Sequence, residues 1–349
     1  ALIRLKAGQS IKEVGPTWHK GKQGTPTMGG IAFILGSGIA AFACGWQRML
    51  SGDFAHLYVY LFALIFGLIG FVDDYRKVRQ HQNEGLTAKQ KFILQLLAAV
   101  AFLCLMRYEG LLTNDLYIPF VNVTVTVNWI VYLIFAAFVI VGCVNAVNLT
   151  DGLDGLAAGT VMVVMLVMAA IAFRAGVLEP ALFAGALAGA CIGFLPYNLN
   201  PAKIFMGDTG STFLGYILAV VSIQGLFKFY TIISFAVPFL MLGLPIFDTC
   251  FAFIRRIAHG QSPMHADRSH VHHRLIDMGF NQKQAVAVLY VISAILGLSA
   301  VVLTTSGPVK AMLLLLALCF AGAISARIFL GANGKKNDGE KPDEKGEEK

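Results

Sequence analysis

The chain has 349 residues, of which 57% are hydrophobic and only 13% are charged. Soluble globular domains carry about 25% charged residues, so this composition excludes a cytosolic enzyme, a disordered chain and a disulfide-rich secreted domain. The formal net charge of +7 could suggest nucleic acid in a soluble protein. In a membrane protein Lys and Arg set the orientation instead, so no nucleic acid partner is expected.

Long apolar segments separated by short polar loops predict an all-α fold, a polytopic transmembrane helical bundle in a lipid bilayer. We predict ten spans: 29–46, 57–72, 92–107, 128–147, 155–173, 179–196, 210–227, 231–253, 284–304 and 309–330. The short apolar and basic start at Ala1 suggests a further span before it. Residues 1–330 then form the membrane domain, and the charged tail 331–349 is expected to be disordered.

If successive loops lie on alternate sides of the membrane, the basic residues are concentrated on one side. Of the 27 Lys and Arg residues, 22 fall on the side that holds residues 1–28. The other five are Arg48, Arg107, Arg174, Lys228 and Lys310. The positive-inside rule makes the rich side cytosolic. Most carboxylates also fall there, so the chemistry is expected to face the cytosol.

Two adjacent acids, Asp73 and Asp74, follow the second predicted span. Like charges repel, and acids are disfavoured at a helix C-terminus because the helix dipole is negative there. The pair therefore indicates a divalent metal or a base with a tuned pKa. Solvated acids at a helix end are the alternative.

Two loops on the same side combine carboxylates, amides and glycines. Residues 145–155 (NAVNLTDGLDG) contain Asp151 and Asp154, whose spacing can place both on one helical face. Residues 198–211 (NLNPAKIFMGDTGS) carry Asp208 at the start of the next span. Backbone N–H groups there can receive a phosphate or its magnesium. Capped helix starts are the alternative for both loops.

Two further loops are basic or rich in His. Residues 265–274 (HADRSHVHHR) interleave Arg with four His, which favours an anion such as pyrophosphate over a zinc site. Residues 15–30 (GPTWHKGKQGTPTMGG) have the composition of a phosphate-handling loop without a Walker A motif. Together the loops predict a Mg²⁺-dependent site for a diphosphate ligand, open to cytosol and lipid.

With these motifs, nearly the whole chain resembles the polyprenyl-phosphate N-acetylhexosamine-1-phosphate transferases. The resemblance implies an enzyme that transfers a sugar-1-phosphate from a UDP-activated amino sugar to undecaprenyl phosphate and releases UMP. It places this enzyme in cell-wall precursor synthesis at the bacterial cytoplasmic membrane. It implies that Asp208 holds Mg²⁺, the cofactor.

The resemblance also implies roles for single residues. Asp73 and Asp74 would orient or deprotonate the lipid phosphate, and His270, His272 and His273 would bind phosphate or sugar. The candidate substrate-binding residues are Lys22, Thr27, Lys77, Lys89, Asn145, Asn148, Asp151, Asp154, Asn198, Phe205, Arg268 and Arg274.

The two halves of the chain favour different sugar donors. The first loop, residues 73–91 and residues 145–155 resemble the phospho-N-acetylmuramoyl-pentapeptide branch, whereas the His loop resembles the N-acetylglucosamine branch. We favour the UDP-N-acetylmuramoyl-pentapeptide donor, with UDP-N-acetylglucosamine as the alternative. A transporter of nucleotide sugars or lipids is the alternative from another class. A homodimer is also considered.

Overall fold

The computed structural model describes residues 25–80, 85–118, 123–174, 176–228 and 271–306, with isolated helical positions between 309 and 316. Within these ranges the chain forms nine helices and one pair of strands. The first four helices are α1 (Gly30–Leu50), α2 (Ala55–Gln80), α3 (Ala88–Tyr108) and α4 (Trp129–Thr150). The others are α5 (Leu156–Arg174), α6 (Leu178–Asn198), α7 (Gly207–Lys228), α8 (Val271–Asp277) and α9 (Gln282–Ser306).

Seven of these helices, α1 to α6 and α9, are long and apolar enough to cross a membrane. Helix α7 is also apolar, but its apolar stretch, Gly207–Ile223, is shorter. The prediction of a polytopic helical membrane protein is therefore confirmed. The predicted span 231–253, most of the span 309–330 and the tail 331–349 lie outside the described residues.

A short hairpin between α3 and α4 departs from the purely helical prediction. Strand β1 (Asp115–Ile118) pairs antiparallel with β2 (Val123–Thr126), with Asp115 opposite Thr126. The alternation of Val and Thr over 123–126 is typical of a strand. The physical reason is polarity, because Glu109, Asn114 and Asp115 make this loop too polar for another span, and two paired strands satisfy its backbone groups.

Helix α7 forms the centre of the bundle, because its residues from Thr209 to Ile223 are all buried. It packs against α2 and α4. A methyl group at Gly70 of α2 would overlap the carbonyl oxygen of Asp208, so the glycine allows the two backbones to meet. The Thr212 hydroxyl also lies 2.8 Å from the Phe66 carbonyl oxygen. The start of α7 is thus held against α2.

Candidate functional site

The start of α7 is capped by a carboxylate from another helix. Asp74 of α2 accepts hydrogen bonds from the backbone N–H of Asp208 at 3.1 Å and of Thr209 at 2.9 Å. It also accepts one from the Thr209 hydroxyl at 2.7 Å. A negative charge is favourable at a helix N-terminus. The carboxylate that caps this helix is therefore Asp74, and Asp208 is left to face elsewhere.

Asp208 is the centre of a charged cluster. Its Oδ2 accepts hydrogen bonds from Lys77 Nζ at 3.0 Å and from Lys91 Nζ at 2.8 Å. Its Oδ1 accepts one from Asn148 Nδ2 at 2.8 Å. The same amide nitrogen lies 2.7 Å from Ser211 Oγ, and Lys91 donates to Asn148 Oδ1 at 3.1 Å. Side chains from α2, α3, α4 and α7 thus meet at one carboxylate.

Asp73 joins this cluster through Lys77. The Lys77 Nζ lies 2.5 Å from Asp73 Oδ2, one helical turn away on α2. The other carboxylate oxygen of Asp73 accepts from the backbone N–H of Leu86 at 2.7 Å. The sequence predicted that these acids follow the end of a span. Helix α2 continues past them to Gln80, so both acids lie inside the helix and not at its C-terminus.

A capping box explains why α3 carries a lysine into the cluster. The Thr87 side chain accepts from the Gln90 backbone N–H at 3.2 Å, and Gln90 Oε1 accepts from the Thr87 N–H at 3.1 Å. The helix therefore begins at Ala88 and places Lys91 in its second turn. The sequence selected Lys89, which is exposed, whereas Lys91 contacts Asp208. A signal for Lys91 was present in the sequence, because the three acids Asp73, Asp74 and Asp208 need more than one lysine to balance their charge.

Three carboxylates in this cluster can hold a cation. Ligand oxygens of Asp73, Asp74 and Asp208 all lie within 4.8 Å of one another. Among the described residues they face two ammonium groups, Lys77 and Lys91, so one negative charge remains uncompensated. Carboxylate oxygens are ligands that hard divalent cations prefer. The residues present therefore fit a cation, and Asp208 fits best, because side chains that can move occupy its oxygens, whereas backbone N–H groups of α7 hold both oxygens of Asp74.

A second polar cluster joins the turn at residues 151–155 to the loop before α7. Asp154 Oδ2 accepts from Asn200 Nδ2 at 2.9 Å and from the Ala202 backbone N–H at 3.1 Å. Asn198 accepts from the Gly155 N–H at 3.2 Å and donates to the Ile204 carbonyl at 2.9 Å. Asp154 and Asn198 are 4% and 1% exposed. Both side chains are thus used within the protein.

The prediction that Asp151 and Asp154 share a helical face is wrong. Residues 151–155 form a turn between α4 and α5, because Gly155 adopts a φ of +81° that ends helical continuity. Asp151 is the C-cap residue of α4, and Asp154 faces the loop before α7. The turn is fixed from α9 by the Tyr290 hydroxyl, which donates to the Gly155 carbonyl at 2.5 Å.

The first loop packs against the segment that leads into α7. The Phe205 backbone N–H donates to the Pro26 carbonyl, and the Gly29 N–H donates to the Phe205 carbonyl, each at 2.8 Å. Thr27 is buried, and a Cβ on Gly207 would lie 2.9 Å from its hydroxyl oxygen. The Phe205 side chain is half-buried. Thr27 and Phe205 thus flank the start of α7.

Among the remaining predicted residues, the structure describes Asn145 and the position of Arg274. Asn145 donates to Gln95 Oε1 at 2.7 Å, inside the α3–α4 interface. Arg274 is exposed on α8. His272 and His273 lie on α8, but their side chains are outside the described part of the chain. Lys22, Arg268 and His270 also lie outside the described residues.

Comparisons with known proteins find a matching family model and named relatives. Residues 56–226 match the glycosyl transferase family 4 model, and residues 22–34 match the phospho-N-acetylmuramoyl-pentapeptide-transferase signature 1. A phospho-N-acetylmuramoyl-pentapeptide-transferase of Staphylococcus saprophyticus is 40% identical over 303 residues, which are 85% of this chain and 90% of the relative. The proteins of the same name from Staphylococcus carnosus and Staphylococcus aureus are 38% and 39% identical, with the same coverage.

These matches confirm an enzyme and a multi-pass membrane protein, and they give no support to the transporter alternative. The signature covers residues 22–30 of the first loop, and the family model covers every residue of the Asp208 cluster. The chain belongs to the glycosyl transferase family 4, on the phospho-N-acetylmuramoyl-pentapeptide-transferase branch of that family.

Proposed function

We propose that this enzyme transfers phospho-N-acetylmuramoyl-pentapeptide from its UDP-linked form to undecaprenyl phosphate. A phosphate oxygen of the lipid forms a new bond to the β-phosphorus of the nucleotide. The bond from that phosphorus to the bridging oxygen breaks, and UMP leaves with this oxygen. The observation that carries the proposal is the Asp208 cluster, lying within a chain that matches named transferases over 85% of its length.

The residues of the cluster suit a reaction between phosphates. Phosphoryl transfer depends mainly on positioning and on neutralising charge. Lys77 and Lys91 bring two ammonium groups to one end of the bundle, where they can hold phosphate oxygens. Asn148 keeps the Asp208 carboxylate oriented between them. Because a lipid phosphate is already mostly ionised near neutral pH, Asp73 need only orient it.

A magnesium ion is the proposed cofactor, held by Asp208 with Asp73. When bound, it would neutralise charge on the departing phosphate. The proposed location is the cytosolic face of a bacterial cytoplasmic membrane, because the basic loops cluster on the side that carries these residues. His270, His272, His273, Arg268, Arg274 and Lys22 remain candidates for contacts with the sugar and the diphosphate.

The test offers purified protein in detergent one UDP-sugar at a time, with undecaprenyl phosphate and Mg²⁺, and measures UMP. We expect release with UDP-N-acetylmuramoyl-pentapeptide and none when the lipid phosphate is omitted. Chelation of the metal with EDTA should stop the reaction, and added Mg²⁺ should restore it. Turnover with UDP-N-acetylglucosamine alone would overturn the proposed sugar donor. If neither sugar gave UMP, the proposed transfer reaction would be wrong.

A further inference from the structure

A polar pair lies inside the membrane-spanning part of the bundle, away from the charges of the site. Gln95 of α3 is fully buried, and its Oε1 accepts a hydrogen bond from Asn145 Nδ2 of α4 at 2.7 Å. Both helices are long and apolar enough to cross a membrane. Polar side chains are costly in such helices and usually have a function there. The sequence assigned Asn145 to substrate binding, whereas the structure turns it toward Gln95.

The pair is in helical register with the Asp208 cluster. Gln95 follows Lys91 by four residues on α3, and Asn145 precedes Asn148 by three residues on α4. Residues at these spacings lie on one face of a helix. The Lys91 ammonium donates to Asn148 Oδ1 at 3.1 Å. Two polar contacts, about one helical turn apart, therefore connect the same faces of α3 and α4.

Of these two contacts, the one between Lys91 and Asn148 belongs to the Asp208 cluster. Lys91 and Asn148 each donate to a different oxygen of Asp208. Any sliding or rotation of α3 against α4 would change both of these distances. Between helices in a membrane, interhelical hydrogen bonds add to van der Waals packing, and their direction restrains one helix register against another. A directional hydrogen bond below the site supplies that restraint.

Two details favour a fixed geometry for the pair. The Asn145 amide nitrogen also donates to the Val141 carbonyl of its own helix at 2.8 Å, which holds its side chain in one orientation. The Gln95 Nε2 has no hydrogen-bond partner among the described residues, although it is buried. A buried amide with an unused donor is unfavourable for folding. Gln95 thus makes its contact with Asn145 although its own amide nitrogen is unsatisfied.

We propose that Gln95 and Asn145 are positioning residues, which fix the register of α3 against α4 and so hold Lys91 and Asn148 on Asp208. The activity readout of this inference rests on the proposed function. Neither residue touches the reacting phosphates. The pair acts only through the two side chains that lie one turn nearer the site.

The main test is a double-mutant cycle between Gln95→Met and Lys91→Met, with UMP release as the readout. Methionine keeps the length of glutamine and removes its hydrogen bonds. We expect Gln95→Met to lower turnover about 10-fold, as loss of a supporting contact does, with little change in melting temperature. In the Lys91→Met background the same change should have a much smaller effect, because one of the two residues that the pair positions is gone.

Asn145→Leu approaches the same contact from α4 and should give the same loss as Gln95→Met. The matched control is Ser222→Ala, since Ser222 is also buried and, within the described part of the chain, its hydroxyl bonds to the Leu218 carbonyl of its own helix. The control should retain turnover. Wild-type turnover by Gln95→Met and Asn145→Leu, or multiplied losses in the cycle, would overturn the inference.

A second measurement does not depend on any substrate. Hydrogen exchange followed by mass spectrometry should show faster exchange in Gln95→Met over residues 88–95 and 143–150, and no change in Ser222→Ala. Unchanged exchange in both segments would overturn the positioning role. If the wild type released no UMP, the proposed function would fail, while the exchange result would still decide the role of the pair.

Discussion

Two polar clusters lie near the start of α7, and they use the same residue types in different ways. The Asp208 cluster combines three carboxylates with two lysines, and its central side chain is 19% exposed. The second cluster, around Asp154 and Asn198, bonds mainly to backbone N–H and carbonyl groups and is almost fully buried. The charged groups of the Asp208 cluster can bind a ligand, whereas the cluster around Asp154 and Asn198 holds two loops together.

The difference lies in what satisfies each carboxylate. Asp208 is satisfied by side chains, Lys77, Lys91 and Asn148, which can rearrange when an anion or a cation arrives. Asp154 is satisfied in part by the backbone of Ala202, which cannot move without unfolding the loop. An acid in a motif of this kind is therefore not a ligand by its residue type alone.

The largest effect is expected from Asp208→Asn. The change removes the charge that holds Lys77 and Lys91, and we expect UMP release to fall about 10³-fold, as when a preorganised electrostatic contact is lost. The control is Asp277→Asn, an exposed acid on α8, which should keep its activity. Near-normal release by Asp208→Asn would remove the distinction between the two clusters.

The next effect separates two lysines of one helix. Lys91→Met should lower UMP release about 10²-fold, because it removes an ammonium group from Asp208. Lys89→Met should change release less than about twofold, as an exposed substitution does. Both variants are measured at the same donor and Mg²⁺ concentrations. The reverse pattern would show that Lys89 is the residue at the site.

Asp154→Ala tests the second cluster. We expect a loss of stability of about 1–3 kcal/mol, because the Ala202 N–H and the Asn200 amide lose their acceptor. The melting temperature in detergent should fall, while the KM for the nucleotide sugar in the folded fraction stays near that of the wild type. A large rise in that KM without a lower melting temperature would place Asp154 among the substrate ligands.

The smallest effect on the protein is expected at Asp74. This residue lies in the Asp208 cluster, but its hydrogen bonds cap helix α7. Asp74→Asn puts an amide donor against the backbone donors of α7, and we expect a stability loss of about 1–2 kcal/mol. Thr209→Val, which removes only the hydroxyl donor, should lower the melting temperature less. An inactive Asp74→Asn with wild-type stability would instead indicate a direct role at the phosphates.

Much of this fold could be predicted because hydropathy is a local property. Apolar segments of sufficient length predicted each of the seven spanning helices near its observed position. The hairpin was missed because two short strands give a weak signal beside ten predicted apolar spans. At the site, Asp73, Asp74, Lys77, Asn148 and Asp208 were selected and lie together. The roles of the candidates in the other loops stay predictions.

The sequence by itself determined the class of the protein, the order of its spans and the loops that carry polar residues. Tertiary structure decided which atoms meet. Lys89 and Lys91 are two residues apart, which is about 200° around a helix, so only the packing of α3 selects between them. Asp74 bonds to the start of α7, which is far along the chain, and Asn145 bonds to Gln95. These choices depend on helix register and rotation, which composition and spacing do not specify.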